Sequence, residues 1–195
     1  MKLTFQKSES ATERFYRLVW PHRAAVLRAA LVLCGSTAEA DDLSQELLMR
    51  AFTSLDQFRE GDNAKPWLMT ILRRLRIDRL RADARHSNES SLDAMEIDPP
   101  SEATEEITLD GDGANPDRLL NQFADSEVIH ALQKLPEDIR WTLLLADVQQ
   151  IDHHEIATIL EVPVGTVKSR VSRGRQMLRM VLLPLAKDRR MVSEG

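Results

Sequence analysis

Basic side chains are the residues in this sequence whose type and spacing point most directly to chemistry. Between Val164 and Arg179 there are five Lys or Arg residues and no acid. From Lys65 to Arg85 there are seven basic residues against two acids. Ammonium and guanidinium groups pair with phosphates, and many such groups together give strong, salt-dependent binding. Both segments are therefore candidates for contact with nucleic acid.

Catalytic and metal-binding patterns are weak by comparison. The sequence His153-His154-Glu155 begins like a zinc-protease motif, but Thr158 stands where the second histidine ligand is required. The single cysteine, Cys34, excludes an internal disulfide and a multi-cysteine metal site, and we interpret it as a small packed residue. Because the sequence has no Ser/His/Asp set and no glycine-rich phosphate loop, we predict a protein that is not an enzyme and that uses neither a cofactor nor a metal ion.

The C-terminal basic segment is typical of a helix-turn-helix. Asp152 provides a capping signal for a short helix, and Pro163 stands at the expected start of a second helix. Four residues give the second helix an apolar face: Val167, Val171, Leu178 and Leu182. In a helix-turn-helix the second helix enters the major groove and its first residues meet base edges. The alternative is a solvated basic face on an ordinary helical hairpin.

The N-terminal basic segment, Lys65–Arg85, also predicts a helix, but one that suits a different form of nucleic acid. It carries an aromatic residue, Trp67, near its start and basic residues along its length. This combination suits a single strand, because the charges hold phosphates while aromatic rings stack on bases. Large aromatic side chains are usually buried, however, so a core position for Trp67 is the favoured interpretation.

Acidic residues begin the helix that precedes this basic segment. Glu39, Asp41, Asp42 and Glu46 lie within its first turns. Acids at a helix N-terminus interact favourably with the helix dipole, which makes capping the simplest interpretation. The same acids also form a candidate docking face for a basic protein partner.

The net charge of the chain conceals an uneven distribution. The 195 residues include 26 basic and 31 acidic side chains, which gives a formal charge of −5. Ten of the acids lie between Ser87 and Asp117, a segment without Lys or Arg, so the rest of the chain carries +5. Such a composition predicts a flexible acidic linker, which is either a solvated spacer or a functional segment. A negative net charge for the whole chain therefore does not exclude binding to nucleic acid.

Apolar residues on both sides of this linker recur at helical spacing, and no segment is typical of a strand. A capping box at Ser36 and Glu39 is followed by six apolar residues that we predict to share one face: Leu43, Leu47, Leu48, Ala51, Phe52 and Leu55. A further helix is predicted from Ala64 to Arg85. We therefore predict an all-α fold with two small helical domains at 1–86 and 121–195, joined by an acidic linker at 87–120.

No apolar run approaches the roughly 20 residues that a membrane-spanning helix needs. The first ten residues also lack the apolar core of a signal peptide. We therefore expect a cytoplasmic protein that does not insert into a membrane.

Short motifs in both predicted domains resemble the sigma factors of bacterial RNA polymerase. Residues 40–46 (Ala-Asp-Asp-Leu-Ser-Gln-Glu), 50–52 (Arg-Ala-Phe), 66–68 (Pro-Trp-Leu) and 77–81 (Ile-Asp-Arg-Leu-Arg) are similar to their second conserved domain. Residues 135–136, 155–157, 162–170 (Val-Pro-Val-Gly-Thr-Val-Lys-Ser-Arg) and 173–175 resemble their fourth. The order of the motifs and the short chain are similar to the extracytoplasmic-function (ECF) group of the sigma-70 family.

This resemblance implies three sets of functional residues. Residues implied to dock on the clamp coiled coil of core RNA polymerase are Asp41, Asp42, Gln45 and Glu46. Residues implied to bind the minus-ten promoter element are Asn63, Lys65, Trp67, Arg73, Arg74, Arg76, Arg79 and Arg81. Residues implied to read the minus-thirty-five element are Val164, Gly165, Thr166, Lys168, Ser169, Arg170, Arg173 and Arg175. The sequence departs from the family pattern at Glu161, where Gly is common, and at Gly174, where Ala is frequent.

The function implied by the resemblance is that of an ECF-type sigma factor, which joins core RNA polymerase and directs it to promoter DNA. An anti-sigma factor is a further implied partner. Two alternatives remain open from the residues: a helix-turn-helix regulator that acts without the polymerase, and a sigma-like decoy that binds only an anti-sigma factor. A regulator that acts without the polymerase does not need the acidic face at Asp41–Glu46. A decoy that binds only an anti-sigma factor does not need a basic recognition helix.

Overall fold

Residues 9–90 and 125–188 are described by a computed structural model of the chain, and every regular element within them is helical. In chain order the α-helices are α1 (Ala11–Leu18), α2 (Arg23–Leu33), α3 (Thr37–Thr53), α4 (Ala64–Ser90), α5 (Asp125–Gln133), α6 (Glu137–Leu143), α7 (His153–Leu160) and α8 (Val164–Asp188). Short 3-10 turns cover Trp20–His22 and Leu55–Gln57, and a π-helical turn covers Leu144–Val148. The all-α prediction is confirmed for the described residues. Most of the predicted acidic linker lies outside them.

Helix α3 forms the centre of the N-terminal half, where it packs between α2 and α4. Its start is capped by Ser36, whose hydroxyl accepts a hydrogen bond from the Glu39 N–H at 3.2 Å. The Glu39 carboxylate reaches back to the N–H of Gly35 at 3.1 Å, one residue before the position a capping box uses. The bond to Ser36 satisfies a donor that the first turn of a helix leaves unpaired, and the bond from Gly35 fixes the chain just before the helix.

The predicted apolar face of α3 is correct except at its far end. Leu43, Leu47 and Ala51 are completely buried. Phe52, by contrast, is 42% exposed and makes an edge contact with Phe15 of α1, with ring centroids 5.4 Å apart. The prediction that Phe52 shares the buried face is therefore wrong, because position 52 lies one residue beyond Ala51 and has rotated away from the core.

Helix α4 is longer than the sequence predicts. It begins at Ala64 with Pro66 in its first turn, where proline is tolerated, and it continues to Ser90 rather than ending at Arg85. The apolar residues Leu68, Leu72 and Leu75 anchor it in the core. A helix of 27 residues spans about 40 Å at 1.5 Å per residue, so it presents basic side chains along a considerable length.

The C-terminal half contains the predicted helix-turn-helix. Asp152 caps α7 by accepting a hydrogen bond from the His154 N–H at 2.7 Å, and this bond holds the pKa of the Asp152 carboxyl below its usual range. Helix α7 ends at Leu160 and is followed by Glu161, whose backbone is left-handed with φ 57°. A left-handed residue at this position is how many helices end, and glycine occupies it with the least strain. This geometry explains why glycine is common at this position, and nothing in the structure explains why Glu161 replaces it here.

The two halves of the chain are in direct contact. Helix α2 packs against α5 and α6, and α4 packs against α7. The buried apolar side chains of both halves belong to one continuous cluster, which includes Val26 and Leu72 on one side and Leu132 and Ile156 on the other.

Candidate nucleic-acid interface

The basic face of α8 is oriented by its apolar face. Val167, Val171 and Leu178 are buried, as the sequence predicts. Because 100° of rotation separates successive helical residues, burying these positions directs Lys168 and Arg173 to the exposed surface. Helix α8 therefore presents two exposed basic side chains on the face away from the core.

Two other basic residues of this helix, Arg170 and Arg175, have acidic partners within the chain. Arg175 makes a two-point contact with Asp147, with Nε and Nη2 at 3.1 and 2.6 Å from the two carboxylate oxygens. The Asp147 side chain is only 4% exposed, so this contact holds α8 against the π-helical turn. Arg170 lies 3.2 Å from the carboxylate of Asp138 and is partly buried. Arg175 thus stabilises the fold of the C-terminal half.

The start of α8 is open to an approaching ligand. Gly165 and Ser169 are exposed, while Val164 and Thr166 are partly buried. A Cβ atom placed on Gly165 would meet no atom within 4 Å. The Ser169 hydroxyl donates a hydrogen bond to the Thr166 carbonyl at 3.0 Å. The first turns of α8 therefore offer free space and exposed polar groups where a recognition helix would meet base edges.

Close packing fixes α8 on α6 at Gly174. A Cβ atom at this position would lie 2.7 Å from Cγ2 of Ile139 and 2.9 Å from Cγ of Leu143. Glycine is therefore explained by close approach of the two helices, and the backbone of α8 sits nearer to α6 than an alanine would allow.

The predicted minus-ten residues of α4 divide into two groups according to their contacts. Lys65 and Arg73 donate hydrogen bonds to the C-terminal half: Lys65 Nζ to the Gln149 carbonyl at 3.0 Å, and Arg73 to the Leu160 carbonyl at 3.0 Å. Arg79 donates to the Glu46 carboxylate of α3 at 2.8 Å. These three cations bind groups of their own chain in this structure.

The remaining residues of that set lie at the surface or at its edge. Asn63, Arg74 and Arg81 are exposed, and Arg76 is partly buried with its Nε atom out of contact with water. Trp67 is partly buried, and its ring centroid lies 5.0 Å from that of Phe58. The favoured core position for Trp67 thus agrees with its packing.

The acidic residues of α3 form a surface, and one of them, Glu46, pairs with arginines of the same chain. Asp41, Asp42 and Gln45 are exposed. Glu46 is partly buried; one of its oxygens lies 3.1 Å from Arg50, and the other accepts the hydrogen bond from Arg79. Glu46 therefore joins α3 to α4.

Two apolar residues continue this surface: Met49, which sequence reasoning missed, and Phe52, which it assigned to the buried face of α3. Met49 is 64% exposed, and it follows Gln45 by four residues on the same side of α3. Phe52, three residues further, is also exposed. The signal that identifies them is exposure of large apolar side chains next to a polar face, which marks protein interaction sites.

Among the described residues, no group of three or more His, Cys, Asp or Glu side chains could hold a metal ion. Within the same part of the chain, no helix is both long enough and apolar enough to cross a membrane.

Comparison with known proteins decides between the alternatives left open by the residues. The family model for Sigma-70 region 2 matches residues 18–86, and that for Sigma-70 region 4 matches residues 125–178. The chain is also 31% identical to the ECF RNA polymerase sigma-E factor of Escherichia coli (strain K12) over 184 residues, with 92% of this chain and 91% of that protein covered. The chain belongs to the ECF group of the sigma-70 family. As a sigma factor it directs transcription initiation by RNA polymerase, and it is not an enzyme.

Other relatives and a solved structure support the same assignment. This sigma factor is 36% identical to the ECF sigma factor EcfG of Rhodopseudomonas palustris (strain TIE-1), over 80% of this chain and 78% of that protein. Its fold is similar to the sigma factor RpoE of Bartonella quintana, solved in complex with the anti-sigma factor NepR, with a TM-score of 0.64 and 27% identity. The similarity covers 86% of this chain and 96% of that one. The matches place region 2 in the N-terminal half and region 4 in the C-terminal half.

Proposed function

We propose that region 4 of this sigma factor reads the minus-thirty-five element with α8. The observation that carries the proposal is a recognition helix whose buried valines direct Lys168 and Arg173 outward, next to exposed Gly165 and Ser169. Such a helix fits the major groove, where basic side chains contact bases or phosphates. Arg170 and Arg175 have acidic partners, so we assign them the smaller share of the contacts.

Region 2 is proposed to bind the minus-ten element with the loop before α4 and the basic side of α4. Exposed Asn63, Arg74 and Arg81 support this assignment. Lys65, Arg73 and Arg79 belong to the same set, and each already donates one hydrogen bond within the chain, so a phosphate would share the cation with its present partner or displace that partner. Trp67 and Arg76 complete the set. Trp67 supports the loop before α4 by packing against Phe58.

The acidic face of α3 is proposed to dock on the clamp coiled coil of core RNA polymerase. Its exposed members are Asp41, Asp42 and Gln45, and Met49 adds an apolar contact beside them. Electrostatic complementarity of this kind speeds association and selects the partner. Glu46 contributes by holding Arg50 and Arg79 in place.

An anti-sigma factor is the partner proposed to regulate this protein. The Bartonella quintana sigma factor, similar in fold over most of the chain, was solved with the anti-sigma factor NepR. Since all of these interactions occur at the polymerase and its promoters, the proposed site of action is the cytoplasm.

Run-off transcription tests the proposal. Purified core RNA polymerase is incubated with templates that carry candidate promoters, with and without the sigma factor. We expect promoter-specific transcripts only when it is present. Substituting Lys168 and Arg173 with Ala should reduce transcripts from promoters with a minus-thirty-five element. Lys134→Ala serves as the matched control, since it removes one exposed positive charge from region 4 at a distance along the chain from α8. Equal transcript levels for all three proteins would contradict the assignment of α8.

A further inference from the structure

The loop before α4, residues 58–63, is the part of the proposed minus-ten surface with the least structure of its own. It connects the 3-10 turn at Leu55–Gln57 to α4 and forms no regular element, and residues 59–63 are exposed. Gly61 has a left-handed backbone with φ 97°, and a Cβ atom there would meet nothing within 4 Å. An unrestrained loop of this kind samples many conformations and loses that freedom when it binds a ligand. The contacts that restrain the loop therefore affect how well it binds.

Arg14 of α1 holds the loop at its first residue. Its Nη2 atom donates a hydrogen bond to the Phe58 carbonyl at 2.6 Å. Arg14 is partly buried and Phe58 is 3% exposed, and a charged donor makes a stronger hydrogen bond than a neutral one. Because the ring of Phe58 packs against Trp67, with centroids 5.0 Å apart, this bond fixes the loop relative to the first turn of α4.

Arg17, three positions further along α1, holds the middle of the loop. Its Nη2 atom donates to the Glu60 carboxylate at 2.8 Å. Its Nε and Nη2 atoms also donate to the two oxygens of Glu9, at 2.8 and 2.7 Å. The contact with Glu9 keeps the guanidinium in one orientation, so little further side-chain entropy is lost when Glu60 is bound. Arg17 and Glu60 are 46% and 71% exposed, so the ion pair is weak alone and restrains the loop together with Arg14.

Helix α1 is itself fixed at both ends. Ser10 and Glu13 form a capping box: the Ser10 hydroxyl accepts from the Glu13 N–H at 3.2 Å, and the Glu13 carboxylate accepts from the Ser10 N–H at 2.8 Å. Val19, directly after the helix, is completely buried. The family model for region 2 begins at residue 18, so Arg14 and Arg17 both precede the segment that it matches. Helix α1 is thus a fixed support beside region 2, and its two arginines reach the loop.

We propose that Arg14 and Arg17 are positioning residues for minus-ten recognition, which hold the loop before α4 in the conformation that binds DNA. The inference rests on the proposed function, because it requires this loop to bind the minus-ten element. In this role neither arginine contacts DNA. A restrained loop loses less conformational entropy on binding and presents Asn63 in one arrangement, so both affinity and discrimination between bases depend on α1.

Limited digestion with trypsin tests the restraint on the full chain, without DNA or polymerase. Arg59 lies in the loop and is exposed, and a loop that moves freely is cleaved faster than one that is held. We expect Arg14→Ala and Arg17→Ala to be cleaved after Arg59 several-fold faster than the wild type. Arg23→Ala is the matched control, since this arginine donates its hydrogen bond to the Trp20 carbonyl at 3.2 Å. Equal cleavage rates in all four proteins would overturn the proposal.

Discrimination between minus-ten sequences separates positioning from a merely structural role. A promoter that gives run-off transcripts is compared, at saturating sigma factor, with versions in which the bases of its minus-ten element are changed one at a time. Loss of folded protein would lower the transcripts from all templates by the same factor. We expect Arg17→Ala to reduce the preference for the original promoter several-fold, while Arg23→Ala retains it. An unchanged preference in Arg17→Ala would overturn its role, and because Arg17 is exposed this variant keeps the test decisive if Arg14→Ala folds poorly.

A conservative variant tests the hydrogen bond from Arg14. Lysine also donates to a carbonyl, although through a single flexible ammonium group. Arg14→Lys should therefore retain most of the promoter preference that Arg14→Ala loses. Equal losses in the two variants would overturn the role of this hydrogen bond.

Glu60→Ala separates positioning from direct contact between Arg17 and DNA. The substitution removes the loop partner of Arg17 together with one negative charge. If Arg17 itself bound a phosphate, its release would strengthen binding of the holoenzyme to a single-stranded minus-ten oligonucleotide. Positioning predicts the opposite result, with binding weakened several-fold because the loop is no longer held. Stronger binding would overturn the positioning role of Arg17.

Asn63→Ala distinguishes failure of this inference from failure of the proposed function. Asn63 lies in the loop and belongs to the residues assigned to the minus-ten element, so its loss should reduce the promoter preference. A reduced preference in Asn63→Ala with an unchanged preference in both arginine variants would overturn the positioning role alone. An unchanged preference in all three variants would overturn the assignment of the loop to the minus-ten element as well.

Discussion

Individual arginines of α8 have different surroundings although the sequence presents them as one basic run. Arg175 is held by buried Asp147, and Arg170 lies beside Asp138, while Arg173 is exposed. An arginine that is already paired with a carboxylate gains less from a phosphate, since the first partner must be given up. Arg173 is therefore the arginine in this run most available to DNA.

Salt dependence tests that difference. In the holoenzyme, Arg173→Ala should weaken binding to a minus-thirty-five duplex and lower the slope of log affinity against log salt by about one, because one phosphate contact is lost. Lys134→Ala should leave the slope unchanged. The measurement is fluorescence anisotropy at several salt concentrations. Identical slopes for wild type and Arg173→Ala would place this side chain away from DNA.

Gly174 gives a second prediction, in which two effects oppose each other. Replacing a glycine inside a helix with alanine usually stabilises by about 0.5–1 kcal/mol. Here the new Cβ would lie under 3 Å from Ile139 and Leu143, and overpacking of this kind typically costs about 1–3 kcal/mol. We expect Gly174→Ala to lower the free energy of unfolding by about 1 kcal/mol in urea titrations.

Gly165 provides the control for this substitution. It lies on the same helix, and its added Cβ would meet open space. Gly165→Ala should therefore be neutral or stabilising in the same titrations. If the two alanine variants show the same stability, α6 and α8 adjust to the extra methyl group, and close packing does not explain Gly174.

Helix α3 presents two different surfaces because its residues fall on opposite sides of one cylinder. Leu43 and Leu47 are fully buried, while Gln45 and Met49 face outward. The buried surface holds region 2 together, and the outward surface is available to a partner. A substitution on the outward surface should therefore change binding without changing folding.

Met49→Ala tests this separation. We expect the free energy of unfolding to change by less than about 0.5 kcal/mol, because an exposed side chain loses few contacts. Core polymerase binding should weaken by about tenfold, in line with loss of an apolar interface contact of about 1.4 kcal/mol. Met180→Ala is the control, since Met180 is 69% exposed on α8. Equal polymerase affinity for both variants would remove Met49 from the interface.

The helices of this protein were largely predictable because their signals are local. The buried valines and leucines of α8 and the caps at Ser36 and Asp152 follow from residues three to four positions apart. The π-helical turn at Leu144–Val148 has no such local signal, because it depends on how Asp147 and Gln149 are held by distant residues. The contact between the two halves was unpredictable for the same reason, since Gln133 and Leu31 are separated by 102 positions.

At the scale of the whole molecule, the contact between the two regions lies near two ionisable side chains, His22 and Lys65. His22 is partly buried, and its pKa is lowered first by burial and then by the charge of Lys65. Lys65 itself reaches across to Gln149. Protonation of His22 therefore places a second positive charge near the point where the regions meet.

The sign of the resulting pH dependence follows from that lowered pKa. The folded protein holds the proton of His22 less tightly than the unfolded chain does, so the contribution of neutral His22 is complete above about pH 6.5 and is lost as the pH falls toward the lowered value. Urea unfolding should show lower stability at pH 5.5 than at pH 7.5. His22→Gln should reduce this difference, and His154→Gln, at an exposed position, should not. An unchanged pH dependence in His22→Gln would assign the effect to other groups.

The hydrogen bonds between the regions join side chains on one side to backbone carbonyls on the other. Every residue type has a carbonyl, so Ala25, Leu31, Cys34 and Leu160 can be replaced without removing an acceptor. The donors have no such freedom. A mutational screen for loss of the contact between the regions should therefore yield an asymmetric map. Substitutions would recur at the donors Gln133 and Gln149, whereas the positions that accept such bonds would appear only where a new side chain disturbs the packing, as at buried Cys34 and Leu160.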